Sequence, residues 1–396
     1  GMAEAAGLSM SHIALLTTSY PDDTPGSEAA GGFVEDFALE LASRVRVTVL
    51  AAGSSDRVDT SGNLTVCRFA VPRLPLSLLN PKHPSHWRHI VATLRQGLGS
   101  LQSLVARDRP DHILALWALP SGYWAYAASR KHGIPFSVWC LGSDIWSLGK
   151  IPLVCTQLRR VLRNAHGCYA DGYKLKSEAG ALGGCNCLFL PSTRRMEQVS
   201  PTTSASSPPY KLAFLGRWHH NKGIDLLLEA LLLLTDADWK RISEVRIFGG
   251  GPLDDVVVEM TATLQGHGRP VITGGYLDKT EASRLIGWSD FLMLPSRIES
   301  IPVIFSDAAK VGTPIVSTPI GDLPRLHEEY RFGILASDVT PAAFCAAIQL
   351  ALVRKPSEFQ SGLERARHDF SLPAIVSRFL EGVASDDQVL ADDSPA

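Results

Sequence analysis

Two acidic side chains, Glu299 and Asp307, are eight positions apart in the C-terminal half of the chain. Between them a helix is predicted to begin, and backbone N–H groups at a helix N-terminus lack intrahelical acceptors and bind anions. These donors belong to the segment Ser300, Ile301, Pro302, Val303. Eight residues make about two helical turns, so both carboxylates can face one site. Carboxylates beside a phosphate cradle suit sugar or ribose hydroxyls; the alternative is a solvated loop Glu and a helix-surface Asp.

The elements that position this pair are a strand, a loop, a helix and a second strand. Phe291 to Leu294 is an apolar run with the length of a buried strand. The helix is predicted from about Pro302 to Val311, with proline in the first turn and Gly312 as the stop. In an open parallel sheet, ligands bind at the carboxyl ends of such strands.

Two basic residues follow another predicted strand, 211 to 215. The loop after it carries Gly216, Arg217 and, five positions later, Lys222, and a helix is predicted from Ile224. Fixed cations at a helix start favour a diphosphate that gains negative charge. The alternative interpretation is two exposed basic residues in a loop.

These segments resemble the nucleotide-sugar site of the retaining GT-B glycosyltransferases, in particular glycosyltransferase family 4. Those enzymes carry a Glu-x7-Glu motif after a Pro-Ser and a Gly-Arg…Lys-Gly loop. The resemblance implies that Glu299 meets the donor sugar and Asp307 the ribose. It also implies that Arg217 and Lys222 grip the donor diphosphate, making these two and Glu299 the catalytic residues.

The sequence departs from the family pattern at two positions. Asp307 stands where the family has Glu, one methylene longer. Leu141 stands where many members have the His of a His-Gly-x-Asp motif, and Leu cannot hydrogen-bond a sugar. Asp144 keeps its position in that motif, as an acceptor-side contact or as a helix N-cap.

Glycines at other strand ends are further donor-side candidates. Gly31 and Gly32 are predicted to open the first helix, and Gly249 and Gly250 follow a predicted strand from Val245. In the family the second of these regions is followed by a turn that borders the nucleobase. Tyr276 stands in that turn, where it either stacks near the base or packs.

Composition indicates a globular protein with no general affinity for nucleic acid. The 396 residues carry a net charge of −2, with +5 in residues 1–200 and −7 in the remainder. The seven cysteines are scattered, and Cys185-Asn-Cys187 has no second pair at zinc spacing, so we expect reduced thiols. No metal and no cofactor is expected, since Arg217 and Lys222 would neutralise the phosphates.

The N-terminus resembles no signal peptide, and no apolar run approaches the length of a membrane span. We therefore expect a cytoplasmic protein, or one at the inner face of the membrane. Residues 69–100 mix proline, apolar, basic and Trp residues. Such a segment either contacts a membrane or a lipid-linked acceptor, or leads into an amphipathic helix packed on the sheet.

The alternation of strands and helices predicts two doubly wound, Rossmann-like α/β domains facing a cleft, the GT-B fold. Their predicted bounds are 1–200 for the acceptor domain and 210–369 for the nucleotide-sugar domain. The polar stretch 198–209 would link them, helix 370–383 would return to the first domain, and the acidic tail from Ala384 would be disordered.

The expected function is a retaining glycosyltransferase that moves a sugar from a UDP- or GDP-sugar to a glycan, lipid-linked or small-molecule acceptor. Two alternatives are a nucleotide-sugar-binding protein without transferase activity and a GT-B sugar-nucleotide epimerase. The sequence shows no lysine-bearing pyridoxal phosphate site, which disfavours a phosphorylase. It also shows no GxGxxG fingerprint, which disfavours a dinucleotide-binding oxidoreductase.

Overall fold

The computed structural model describes residues 12–22, 27–72, 79–196 and 204–385. The chain divides into two compact units, residues 1–194 with 372–396, and residues 195–371. Residues 197–203 of the predicted linker, 73–78 of the basic segment and 386–396 of the predicted tail lie outside the described residues.

The first unit is an α/β structure around one sheet. Its elements before the second unit are β1 His12–Thr17, α1 Ser27–Ala42, β2 Arg46–Gly53, β3 Arg57–Ser61, β4 Leu64–Ala70, α2 Trp87–Arg107, β5 His112–Leu116, α3 Ser121–His132, β6 Phe136–Cys140, α4 Ser143–Trp146, α5 Pro152–Asn164, β7 Gly167–Ala170, α6 Tyr173–Gly183 and β8 Cys187–Phe189.

Within the described residues this sheet has eight strands in the order β3-β4-β2-β1-β5-β6-β7-β8. Only the pairing of β3 with β4 is antiparallel among them. All six residues of β1 are buried, as expected of a central parallel strand covered on both faces. All five residues of β3 are exposed, which fits its place at the sheet edge.

The second unit repeats this architecture. Its elements are β9 Tyr210–Arg217, α7 Ile224–Leu233, α8 Asp236–Trp239, β10 Ile242–Gly250, α9 Asp254–Gly266, β11 Val271–Gly274, α10 Lys279–Trp288, β12 Phe291–Leu294, α11 Val303–Val311, β13 Ile315–Ser317, α12 Leu323–Tyr330, β14 Gly333–Leu335, α13 Pro341–Leu352 and α14 Gln360–Asp369. Its strands, all parallel within the described residues, run in the order β11-β10-β9-β12-β13-β14.

The last helix, α15 Leu372–Ala384, belongs to the first unit. Its Phe379 ring meets the Phe37 ring of α1 edge to face at 5.8 Å. Arg44 donates to the Ser377 hydroxyl and to the Pro373 carbonyl, at 2.7 and 3.0 Å. Apolar packing and these bonds hold α15 on the first sheet's helical layer, although more than 180 residues separate it from β8.

The predicted start of the first helix was wrong. α1 begins at Ser27, so Gly31 and Gly32 lie inside it and do not open it. A Cβ on Gly31 would come within 3.0 Å of the Tyr20 backbone, whereas Gly32 faces open space. Close packing of the helix on the loop after β1 therefore accounts for the first glycine.

Candidate functional site

The site residues of the second unit follow two neighbouring strands. β9 ends at Arg217 and β12 at Leu294, and the two strands are parallel partners. Their carboxyl ends therefore lie at the same edge of the sheet. The loops that follow touch there, because the Arg297 amide donates to the Asn221 carbonyl at 2.8 Å. The fold thus joins two segments that are about 80 residues apart in sequence.

Gly223 makes this approach possible. Its φ of 71° lies in the left-handed region, and a Cβ there would be 1.8 Å from the Pro295 carbonyl oxygen. Any side chain would push the two loops apart. Lys222, the preceding residue, is thereby held beside the loop after β12.

Lys222 and Glu299 form an ion pair between these loops. The Lys222 side chain is 41% exposed and that of Glu299 is 14% exposed, so the pair is at the surface but partly desolvated. Burial lowers the pKa of Lys222. The structure therefore brings together the predicted phosphate cation and the predicted sugar carboxylate.

A second ion pair braces the same loops. Arg297 donates to both carboxylate oxygens of Asp225, at 2.7 and 2.9 Å, and to the His220 carbonyl at 2.9 Å. Burial opposes ionisation of Asp225, but bonds from Arg297 and from backbone amides outweigh it and lower its pKa. Sequence analysis missed this pair; its only signal was a basic residue after Pro295-Ser296 and an acidic one in the first turn of α7.

Arg217, the other predicted cation, is exposed at the end of β9. It has no ion-pair partner among the residues that the structure describes. A guanidinium without an internal partner keeps its donors for an external anion.

The N-terminus of α11 lies next in sequence to Glu299. The helix starts at Val303 after Pro302 in an extended conformation, and it ends at Gly312 with φ 89°, which confirms its predicted bounds to within one residue. Proline has no N–H, so Pro302 cannot be one of the predicted donors. The helical donors are the amides of Val303 and Ile304, which have no acceptor within the helix.

Ser300 and Ile301, the remaining predicted donors, are half-buried in the loop before α11. This loop is fastened to the turn after β13, where Asp322 donates its amide to the Ser300 carbonyl at 3.2 Å. A Cβ on Gly321 would be 2.1 Å from the Glu299 carbonyl oxygen, so that turn packs tightly against the acidic loop.

Asp307 differs from Glu299 in its surroundings. Asp307 is fully buried in α11, and it interacts with other groups of the protein. The two carboxylates are on the same stretch of chain, but only Glu299 has exposed surface. The ribose role of Asp307 stays a prediction.

The glycines at the carboxyl ends of β9 and β10 form a third part of the site. Gly249 is paired with Gly216 across the two strands, and a Cβ on Gly249 would be 1.8 Å from the Gly216 carbonyl oxygen. The Tyr276 hydroxyl donates to the Gly250 carbonyl at 2.7 Å, and Tyr276 as a whole is 72% exposed. The structure therefore brings Gly216, Gly249, Gly250 and Tyr276 to one sheet edge.

Two buried polar atoms at this edge have no hydrogen-bond partner among the described residues. They are Nε1 of Trp218, in the loop after β9, and Oγ of Ser296, in the loop after β12. Buried donors and acceptors are normally satisfied, so these two atoms are candidates for contact with a bound ligand. Sequence analysis singled out neither of them for a role.

The first-unit candidates form a separate group. Asp144 is buried, and its carboxylate accepts the backbone N–H groups of Ala118 at 2.7 Å, Gly142 at 3.0 Å, Ile145 at 3.1 Å and Leu141 at 3.3 Å. Burial raises the pKa of Asp144. The N-cap of α4 is Gly142, so the predicted N-cap alternative for Asp144 was wrong; it braces two loops from within.

The structure shows neither a metal-binding cluster nor a membrane-spanning helix within its described ranges. No three His, Cys, Asp or Glu side chains there are placed to hold a metal ion. None of the helices in those ranges combines the length and apolarity needed to cross a bilayer. The predicted amphipathic helix of the basic segment is α2, whose Trp87 and Val91 are exposed.

Comparison with known proteins relates mainly the second unit to an enzyme family. Residues 209–353 match the family described as glycosyl transferases group 1. The putative teichuronic acid biosynthesis glycosyltransferase TuaC of Bacillus subtilis is 26% identical, over 58% of this chain and 59% of its own length. The D-inositol 3-phosphate glycosyltransferase of Corynebacterium diphtheriae is 28% identical, over 51% of this chain and 49% of its own. The matches thus span about half of these relatives.

Solved structures match nearly the whole chain. Sucrose-phosphate synthase from Thermosynechococcus elongatus gives a TM-score of 0.66 at 16% identity, covering 94% of this chain and 98% of its own. HepE from Anabaena, solved in complex with UDP, gives 0.68 at 15% identity, covering 95% and 100%. The fold predicted from the sequence is thereby confirmed: the chain has the α/β architecture of the GT-B glycosyltransferases.

Proposed function

We propose that the protein is a retaining glycosyltransferase that takes its sugar from a nucleotide-sugar donor. The observation that carries the proposal is the Lys222–Glu299 ion pair at the carboxyl edge of β9 and β12. The pair brings the predicted phosphate cation and the predicted sugar carboxylate together in the unit that matches glycosyl transferases group 1.

The donor diphosphate binds Arg217, Lys222 and the first amides of α11. Each charge-assisted hydrogen bond contributes roughly 1.5–3 kcal/mol. Lys222 exchanges its carboxylate partner for phosphate when the donor arrives. Glu299 is then available to accept hydrogen bonds from the donor sugar, so one ion pair prepares both contacts.

In the reaction the bond between the anomeric carbon and the diphosphate oxygen breaks. The acceptor hydroxyl oxygen bonds to that carbon on the same face, and its proton passes to the leaving phosphate. Arg217 and Lys222 favour this step because the leaving group gains negative charge as the bond breaks. These cations take the neutralising role, and the reaction proceeds without a metal.

UDP and GDP are the proposed nucleotides, and the match to HepE, solved with UDP, supports the first. The acceptor is a glycan, a lipid-linked glycan or a small molecule. Leu141, which stands at the position of the family His, packs on the apolar core of the first unit and offers the sugar no hydrogen-bonding group. Asp144 acts on the acceptor side by holding the loop that carries Leu141.

The test is calorimetric titration with UDP, GDP and ADP, each with EDTA and with Mg²⁺, followed by hydrolysis of the matching sugar nucleotides. We expect one nucleotide to bind in EDTA. A requirement for Mg²⁺ would contradict the metal-free mechanism, and failure of all three to bind would contradict the donor site.

Variants separate a transferase from a protein that only binds nucleotide sugars. Lys222→Ala should reduce turnover by a larger factor than donor affinity, because its charge acts most on the leaving group. Lys240→Ala is the matched control, since Lys240 is exposed and precedes β10 at the opposite sheet edge. Equal losses in both quantities would favour the binding protein.

A further inference from the structure

Four cysteines gather on one face of the first sheet, and none of them is among the residues assigned above to the donor. Cys140 ends β6, Cys168 lies in β7 and Cys187 begins β8, three neighbouring strands. Cys168 is paired directly with Cys187, and their Sγ atoms are 3.4 Å apart. Cys140 is paired with Ala170, two residues after Cys168, so all three side chains point to the same face.

Cys185 completes the cluster from the loop between α6 and β8. Cys185 packs against the buried core that holds Cys140, Cys168 and Cys187, and it stands two residues before Cys187, the direct partner of Cys168. All four cysteines are free thiols. Cys140, Cys168 and Cys187 are buried, whereas Cys185 is partly exposed.

This difference in exposure divides the roles. An oxidant in solution can reach Cys185 but not the three buried sulfurs. The neighbouring Cys168 thiol also lowers the pKa of Cys185, which increases its thiolate fraction. Contacts with its neighbours, Cys140 first, and then burial raise the pKa of Cys168, so Cys185 and not Cys168 supplies the thiolate that meets the oxidant.

We propose that Cys185 is a site of oxidation by hydroperoxides and that Cys168 resolves it as a disulfide. The Cys185 thiolate attacks the peroxide: an S–O bond forms, the O–O bond breaks, and the departing hydroxide takes up a proton to become water. The Cys168 sulfur then attacks the Cys185 sulfur. An S–S bond forms, the S–O bond breaks, and the oxygen leaves as water with the Cys168 proton.

Two thiols and one molecule of hydrogen peroxide thus give one disulfide and two waters. The bond would tie the α6–β8 loop to β7, and a dithiol reductant would reverse it by thiol–disulfide exchange. The site needs neither nucleotide nor sugar, so it stands independently of the proposed transferase activity.

The test treats the reduced full chain with one equivalent of hydrogen peroxide and maps its peptides by mass spectrometry. We expect a Cys168–Cys185 disulfide, lighter by two hydrogens, that dithiothreitol reverses. Cys168→Ser should instead accumulate a sulfenic acid at Cys185, trapped by dimedone. Should that variant not fold, dimedone added to wild type in the first seconds gives the same information.

Cys155 is the matched control. It is also partly exposed, on α5, but has no thiol contact among the residues described. Dimedone should label Cys185 roughly ten times faster than Cys155. Equal labelling of the two, a disulfide between Cys168 and Cys187 that persists in Cys185→Ser, or no disulfide at all would each overturn the proposal.

Discussion

Arg297 and Asp225 form a two-bonded ion pair, with N–O distances of 2.7 and 2.9 Å, that fastens the loop after β12 to the first turn of α7. Both side chains are 21% exposed, so solvent screens them only partly. Neither residue belongs to the family motif. Their pairing nevertheless fixes the two loops whose other residues, Lys222 and Glu299, are the candidate catalytic pair.

Asp225→Asn should destabilise the second unit by about 2 kcal/mol at neutral pH, because it removes a charged acceptor of two bonds. The lowered pKa of Asp225 fixes the pH dependence. This stabilisation is full above the unfolded pKa of about 3.9 and is lost as pH falls through the lower folded value. Urea unfolding of both proteins at neutral pH and at successively lower pH measures the difference.

Asp236→Asn serves as the control for that comparison. Asp236 pairs with Arg269 at 2.6 Å, but its side chain is 87% exposed, so its loss should hardly move the urea midpoint. An equal shift for both variants, or a shift for Asp225→Asn that persists at the lowest pH, would contradict the role given to the Arg297 pair.

The paired glycines should respond differently to alanine. Gly249→Ala would place its Cβ 1.8 Å from the Gly216 carbonyl oxygen, so we expect a loss of about 3 kcal/mol or more, or no folded protein. Gly216→Ala meets nothing closer than 3.5 Å, which is ordinary contact, and should fold.

Gly216→Ala therefore reports on a ligand without disturbing the fold. If the donor approaches the backbone there, nucleotide affinity should fall by roughly tenfold while the unfolding midpoint stays near wild type. Calorimetry and thermal unfolding on the same sample check this. Unchanged affinity would remove Gly216 from the donor site.

The contributions of the ring and of the hydroxyl of Tyr276 can be tested separately. Tyr276→Phe loses the 2.7 Å bond to Gly250, worth at most about 1 kcal/mol at so exposed a residue. If the ring stacks on the base, Tyr276→Ala should weaken nucleotide binding by a further amount of roughly 1–3 kcal/mol. Binding constants that fall equally in both variants would assign Tyr276 to holding Gly250 alone.

Asp144→Asn should unfold more easily than wild type by roughly 1–3 kcal/mol, because an amide group replaces one acceptor oxygen among four backbone donors. Asp56→Asn is a control, since that side chain accepts one backbone amide at an exposed position. Thermal unfolding of the two variants decides the matter. An unchanged transition with lost activity would instead indicate direct contact between Asp144 and the acceptor.

Local patterns in the sequence determined much of the fold. Runs of apolar residues such as Phe291–Leu294 and the stop at Gly312 predict β12 and α11, because burial and backbone conformation act over a few residues. The apolar runs that precede Arg217 and Glu299 likewise predict that both residues stand at the ends of strands.

Tertiary structure alone decided which of these residues meet and which are buried. The Lys222–Glu299 and Arg297–Asp225 pairs join residues more than 70 positions apart, and no local pattern specifies such a contact. Asp307 and Asp144 are candidates for ribose and acceptor contact in the sequence, yet packing buries both. Strand order also brings Cys140, Cys168 and Cys187 together, because register across three strands and not spacing along the chain places their side chains on one face.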